Sequence, residues 1–210
     1  MSNSKAEVTT LVLGPLQTNC YLVVCPTTRE ALVIDPADAP NSILKAAQDR
    51  NAHIGRILLT HTHPDHLGGL PGLRQATGAQ LLAHRKDAEM IRQHGSFYGL
   101  TEAQITQLAP DVELEGGEEI QIGQLTAKAI HTPGHTPGGI TLQVGDVLFT
   151  GDTLFAQGIG RVDLPGGNLD QLLNSIQRLF ELPDECAVFP GHGLSSTIGT
   201  EKRDNPYVSR

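Results

Sequence analysis

The run Thr60-His61-Thr62-His63-Pro64-Asp65-His66, directly after the apolar residues 57–59, constrains this chain more than any other feature. Four side chains able to bind metal fall within six residues. On a helix, residues i and i+2 point about 200° apart, whereas an extended segment aims i, i+2 and i+4 the same way. His61, His63 and Asp65 therefore share a face only where the chain is extended. Pro64 favours that state, because it disfavours the helical region at His63 and removes a backbone donor. His66 falls outside the alternation, at the turn into the next segment. Three ligands on one side and one on another suit two neighbouring metals better than one.

Three single residues occupy the same kind of place, each past an apolar strand-like segment and beside glycine. His135 follows residues 125–130 within His131-Thr132-Pro133-Gly134-His135, and Asp152 follows residues 147–150 within Thr150-Gly151-Asp152. His192 follows residues 187–189 within Pro190-Gly191-His192-Gly193. In layered α/β proteins, sites collect on loops at strand ends, where the scaffold is rigid and the side chains stay reachable. Any one of these residues alone would be a weak signal; together with the upstream cluster they form a candidate metal set.

The rest of the pattern fits an α/β chain. Residues 8–13, 20–25, 31–34, 56–60, 80–83, 112–114, 119–122 and 125–130 have strand length and β-branched content. Residues 140–144 and 147–150 form a hairpin across Gly145-Asp146, a pair suited to a type II′ turn. A last strand covers 186–189. Helices are expected after Pro40, over 67–76 and 86–93, and after Asn168, where Gln171 sits at the capping-box position and Leu172, Leu173, Ile176 and Leu179 follow helical spacing. From Gly199 the tail is polar.

Composition narrows the partners. A chain of 210 residues suits one domain and can bury enough surface to fold without disulfides or metal, so a metal site here would be functional first. Fifteen Lys and Arg against 23 Asp and Glu give a net charge of −8, which repels a phosphate backbone and argues against nucleic acid. No run approaches ~18 apolar residues and residues 1–10 lack a signal-peptide core, so no membrane partner and a cytoplasmic location are expected. Cys20, Cys25 and Cys186 form no C-x-x-C pair and read as buried free thiols. Neither a G-x-S-x-G elbow nor a P-loop occurs.

The T-H-x-H-x-D-H run followed in order by P-G-H, G-D and G-H resembles the metallo-β-lactamase-fold hydrolases. Gly14-Pro15-Leu16-Gln17-Thr18-Asn19-Cys20-Tyr21, Gly151-Asp152-Thr153-Leu154-Phe155 and Gly160-Arg161-Val162-Asp163 are similar to motifs of the glyoxalase II-like branch. The resemblance implies an α/β fold, a four-layer αββα sandwich, with His61, His63 and His135 on one metal, Asp65, His66 and His192 on a second, and Asp152 bridging them. It implies two divalent ions, zinc first, with iron or manganese compatible with the same ligands. Asp65 and Asp152 are the candidate catalytic residues, and no organic cofactor is implied. Two cations ~3.5 to 4 Å apart can lower the pKa of a shared water to ~7 and stabilise a developing oxyanion. The implied reaction is therefore hydroxide attack on a small thioester, S-lactoylglutathione or a related hydroxyacyl thioester, with Asp65 relaying a proton.

Only 18 residues follow His192, so the expectation is one domain over 1–210 without the helical glutathione-binding domain of full-length glyoxalase II. Persulfide dioxygenases share the resemblance and would use His61, His135 and Asp152 on a single iron; another small ester or lactone is a further alternative substrate. His53, His84, His94 and His131 read as surface or capping residues. Arg161 and Asp163 either shape the pocket through an ion pair or pin a glycine-rich loop, and Phe97 and Tyr98 read as packing rather than substrate contacts.

Overall fold

The central strands of the first sheet bury both of their faces, and the two faces feed different cores. In the computed structural model, which describes residues 5–208, the first sheet runs β1 (Glu7–Leu13), β2 (Thr18–Val24), β3 (Glu30–Ile34), β4 (His53–Leu58), β5 (Gln80–His84) and β6 (Val112–Leu114), in that order. In β2, Cys20, Leu22 and Val24 pack into one cluster, and Tyr21 and Val23 into another. β3 repeats this with Ala31 and Val33 against Leu32 and Ile34, as the two-residue period of a strand requires. The first four residues of the polar start lie outside the described residues.

The second sheet contains β7 (Glu119–Ile122), β8 (Leu125–His131), β9 (Ile140–Val144), β10 (Val147–Gly151), β13 (Ala187–Pro190) and β14 (Ser196–Thr197); a hairpin of β11 (Leu154–Phe155) and β12 (Gly158–Ile159) stands apart. The inner faces of both sheets meet in one core that includes Tyr21, Ile34, Leu58, Leu142 and Phe149. The outer face of the first sheet is covered by α1 (Pro40–Gln48), α2 (Leu70–Thr77) and α3 (Arg85–His94) through Ile43, Leu70, Leu73 and Ile91. After the short α4 (Glu102–Gln107), α5 (Leu169–Leu179) and α6 (Ile198–Asp204) cover the second sheet through Leu172, Ile176, Leu179 and Ile198 against Leu148 and Val188. The architecture is the expected four-layer αββα sandwich. Phe149 is fully buried at its centre, its ring 5.0 Å from Tyr21 and 5.7 Å from Phe189. Phe149→Ala is expected to lower unfolding free energy by about 3 to 5 kcal/mol in denaturant titration, since the rigid sheets cannot collapse into the space.

Several boundaries differ from the sequence expectation for local reasons. The strand expected over 56–60 ends at Leu58, because the Thr60 N–H is taken by the Asp35 carboxylate at 2.7 Å instead of a neighbouring strand. The second helix starts at Leu70 rather than 67: Gly68 and Gly69 press on the backbone of residues 36–38, and Gly69 N donates to Pro36 O at 2.8 Å. Asn168 caps α5 by accepting from Gln171 N at 3.0 Å, without the reciprocal bond of a capping box among the described residues. That box occurs instead at α4, between Thr101 and Gln104. The polar tail folds into α6, which buries Ile198 and Glu201; Glu201 accepts from Gln157 N at 2.8 Å and from Asn205 Nδ2 at 2.8 Å.

His84, which caps α3, stacks on His131 at the end of β8, with ring centroids 4.2 Å apart and planes within 11°. Burial and then the neighbouring ring push the His84 imidazole down to about 4, and burial also lowers His131. Lowered folded values mean the native state binds fewer protons than the unfolded chain. This stabilisation is complete above pH 6.5, the ordinary value, and is lost as pH falls towards about 4. Acidification should cost wild type roughly 1 to 3 kcal/mol more than His84→Leu, measured as unfolding free energy in parallel titrations.

Candidate metal centre

The seven expected ligands converge at the C-terminal ends of strands from both sheets. β4 leads into His61 and His63, β8 into His135, β10 into Asp152 and β13 into His192, while a single 3-10 turn, Pro64–His66, carries Asp65 and His66. His61, His63 and His135 bring one nitrogen each within 4.8 Å of one another, and Asp65, His66 and His192 form a second such group. Asp152 lies between the groups. Its Oδ2 is 3.6 Å from His135 Nε2 and 3.7 Å from His192 Nε2, and its Oδ1 is 3.5 Å from His66 Nε2. A further grouping of Asp35 with His61 and His66 does not need a metal, because Asp35 already accepts three hydrogen bonds.

The extended alternation holds for His61 and His63 but not for Asp65. His63 is extended (φ −68°, ψ 143°), after which the turn at Pro64 swings Asp65 away to join His66 and His192. Asp65 Oδ2 lies 3.2 Å from His192 Nε2 and 3.5 Å from His66 Nε2.

The hydrogen bonds on the far side of the rings decide which nitrogens are free. His135 Nδ1 donates to Arg161 O at 2.7 Å and His192 Nδ1 to Leu16 O at 3.1 Å. A carbonyl can only accept, so in both rings Nδ1 carries a proton and Nε2 is the nitrogen that faces the site. Thr60 Oγ1 donates to Asp35 at 2.6 Å and therefore accepts from His61 Nδ1 at 3.1 Å, with the same result. His66 Nδ1 donates to Asp35 Oδ2 at 2.9 Å. His63 Nδ1 lies 2.9 Å from His135 Nε2, near the ~3.3 Å that two nitrogens at ~2.05 Å subtend on a tetrahedral ion.

Buried polar atoms without partners test whether metal belongs here. His61 Nε2, His66 Nε2 and Asp152 Oδ1 are all buried and have no hydrogen-bond partner. Three such atoms in one place would each cost about 1 to 3 kcal/mol, whereas divalent ions would satisfy them together. The donor set therefore fits the implied metals.

Electrostatics separates the two groups. Burial, then the neighbouring imidazoles, lowers His61, His63 and His135, with His63 at about 3, so this group is neutral and ready to ligate. Burial works against charge at His66 too, but Asp152 and Asp35 outweigh it and raise the ring to about 9. A hydrogen bond with Asp65 raises His192. Burial pushes the Asp65 carboxyl up, yet the His192 bond and nearby His66 hold it well below the usual range. The all-histidine group is closed, while the side chains of Asp65 and His192 are 22% and 27% exposed, so the site opens on the carboxylate side.

The remaining sequence candidates fall into place around this centre. The Arg161 side chain turns outward into a paired contact with Asp163 at 2.7 Å, and what it lends the site is its carbonyl. The Tyr98 ring packs 5.4 Å from His63, with Phe97 exposed beyond it. Sequence reading missed four supporting residues. Asp35 sits in Ile34-Asp35-Pro36 at a strand end, the same signal that exposed Asp152, and at an unusual φ of 50°. Thr18 donates to Asp65 at 3.3 Å, and Asn19 Nδ2 donates to Pro190 O and Gly193 O at 2.9 Å each, fixing the His192 loop. The fourth, Asp87, is buried on α3.

Comparison with known proteins agrees with this geometry. Residues 13–192 match the model of the metallo-beta-lactamase superfamily. The chain belongs to that superfamily. It is a hydrolase-type metalloenzyme of the family, and its two ligand groups fit a dinuclear site. An uncharacterized protein of Aquifex aeolicus is 37% identical over 93% of this chain and 94% of its own. The hydroxyacylglutathione hydrolase GloC of Haemophilus influenzae is 34% identical over 92% and 93%. Among solved structures, BLEG-1 B3 metallo-beta-lactamase is 33% identical with a TM-score of 0.87, covering 97% of this chain and 100% of its own. ETHE1 from Myxococcus xanthus is 32% identical with a TM-score of 0.83, over 95% and 83%. TTHA1623, solved in a di-iron-bound form, is 36% identical with a TM-score of 0.81, over 95% and 100%. Among the described residues, no helix is long and apolar enough to cross a membrane.

Proposed function

We propose that this chain is a dinuclear-metal hydrolase of small thioesters, with S-lactoylglutathione or a related hydroxyacyl thioester as substrate. The observation that carries the reading is the completeness of both ligand groups around Asp152, supported by the similarity to the Haemophilus hydroxyacylglutathione hydrolase. His61, His63 and His135 would hold one ion, Asp65, His66 and His192 the other, and Asp152 both, with zinc the first candidate and iron or manganese compatible. Bound there, the ions would supply Lewis acidity for the carbonyl oxygen and lower the pKa of water towards ~7.

The chain's own residues do the rest. The open side beside Asp65 and His192 admits the thioester, and the closed histidine side excludes bulk water. Asp65 is ionised before the attack and would accept the proton that the attacking water releases as the C–O bond forms. The C–S bond then breaks and the thiolate takes up a proton, giving acid and thiol. Asp35 holds His66, and the carbonyls of Arg161 and Leu16 hold His135 and His192, so the ligands need not reorganise during turnover.

The likeness to ETHE1 favours one second reading, a persulfide dioxygenase with a single iron on His61, His135 and Asp152. Elemental analysis paired with S-lactoylglutathione turnover, with and without O₂, separates the two. Near two metals per chain and O₂-independent thioester loss supports the hydrolase. One iron per chain with persulfide-dependent O₂ uptake and no thioester loss sinks it.

A further inference from the structure

We infer that Asp87 is a positioning residue for the all-histidine half of the metal centre, joining the two loops that carry its ligands. The inference rests on the dinuclear reading above. His61 and His63 come from the first sheet and His135 from the second, so their mutual spacing depends on what ties one sheet's loop to the other's. Asp87, in the first turn of α3 and 1% exposed, reaches both. Its Oδ2 accepts from Thr62 N at 3.1 Å and from Thr136 Oγ1 at 2.9 Å, and its Oδ1 accepts from Gly138 N at 2.6 Å. Its backbone carbonyl also accepts from Thr62 Oγ1 at 3.2 Å.

Thr62 stands between His61 and His63, and Thr136 follows His135. Every ligand of this group is thus a sequence neighbour of a residue bonded to Asp87, although Asp87 hydrogen-bonds to none of the ligating rings. Asp35 works differently, since it bonds directly to a ligand ring, His66. The fit around Asp87 is close: a Cβ on Gly138 would lie 2.6 Å from both Asp87 N and Oδ1. One further backbone bond, Ile140 N to Thr60 O at 2.8 Å, spans the same gap, but it lies behind the ligands.

Charge adds to geometry. The group of His61, His63 and His135 contains no carboxylate of its own, whereas the second group contains Asp65. A buried carboxylate behind the neutral imidazoles favours a cation there. Burial pushes Asp87 up to about 6 despite its three donors, so it is mostly ionised at neutral pH.

The test is zinc titration of the metal-free full-length protein in competition with a chromophoric chelator. In Asp87→Asn, an amide donor faces groups that are themselves donors, so one of the two zinc affinities should fall by about 10- to 100-fold while the other holds. In a His192→Ala background the fall should persist, which assigns it to the histidine group. Thr136→Val, which removes a single donor, should weaken the same step less, and Thr136→Ser should restore it. A purely structural role would lower the melting temperature of the metal-free protein without separating the two affinities. Should Asp87→Asn fail to fold, the Thr136→Val and Thr136→Ser pair decides. Wild-type affinities for both zincs in Thr136→Val, or in folded Asp87→Asn, would overturn the inference. Wild-type protein that takes up no zinc, iron or manganese would instead overturn the dinuclear reading and this inference with it.

Discussion

Replacing Asp152 with alanine should lower thioester hydrolysis by on the order of 10³-fold or more, with a matching loss of bound metal, because this carboxylate serves both ligand groups. Its Oδ2 faces His135 from one group and His192 from the other, and its Oδ1 faces His66. Asp35 also lies near one ring of each group, His61 and His66, but it already accepts three hydrogen bonds. In the proposed dinuclear site, removing Asp152 would take a negative charge from between the two ions and leave an unmet coordination position on each. The fold should survive, since the Asp152 side chain lies among the candidate ligands and its Oδ1 makes no hydrogen bond that holds the chain together. The checks are kcat, metal content and a circular dichroism spectrum on the same preparation. Near-normal turnover with two metals bound would remove Asp152 from its proposed role. Asparagine at this position is the sharper companion: it keeps the shape but halves the acceptors, so it should retain more metal than alanine while losing most of the rate.

How far the sequence alone foretells this site depends on whether a residue's role is written in its own neighbourhood. His61, His63 and His66 stand in a dense run after a buried strand, and the glycines beside His135, Asp152 and His192 mark strand ends, so their loops were legible one at a time. Their convergence was not, since it depends on how β4 of one sheet faces β8, β10 and β13 of the other. The Pro64 turn shows the limit of local periodicity: alternation assigns Asp65 to the side of His61 and His63, but one turn of 3-10 helix carries it to the other group. Asp87 was hidden for another reason: it is an ordinary acidic residue on a helix, and only the folded chain brings it donors from distant segments. Asp35 carried the strand-end signal, but nothing local names Thr60 and His66 as its partners. The same holds for α6, whose polar composition conceals a helix because its buried carboxylate, Glu201, is satisfied by Gln157 and Asn205.

Gly191→Ala should cut turnover by on the order of 10²-fold with little change in stability, through a single methyl group placed against the ligands. Gly191 precedes His192, and its backbone is fixed on both sides: its N–H donates to Gly151 O at 2.8 Å, and its carbonyl accepts from Asn19 N at 2.7 Å. It is not among the positive-φ glycines, so alanine meets no left-handed strain there. What it meets is the site. A Cβ at this position would fall inside contact distance of Asp152 Oδ1 and 2.8 Å from His66 Cε1, one from the residue between the two groups and one from the second group. With the backbone held, relief must come from those two side chains. Displacing a reacting geometry by about 1 Å costs roughly 10²-fold, whereas the rest of the protein is unaffected. The expected result is therefore a fall in kcat larger than any change in KM, a melting temperature close to wild type in metal-free protein, and weaker retention of the ion at Asp65, His66 and His192. Unchanged kcat would mean that Asp152 and His66 can move freely, and that the ligands are not held in a fixed arrangement by the loops that carry them.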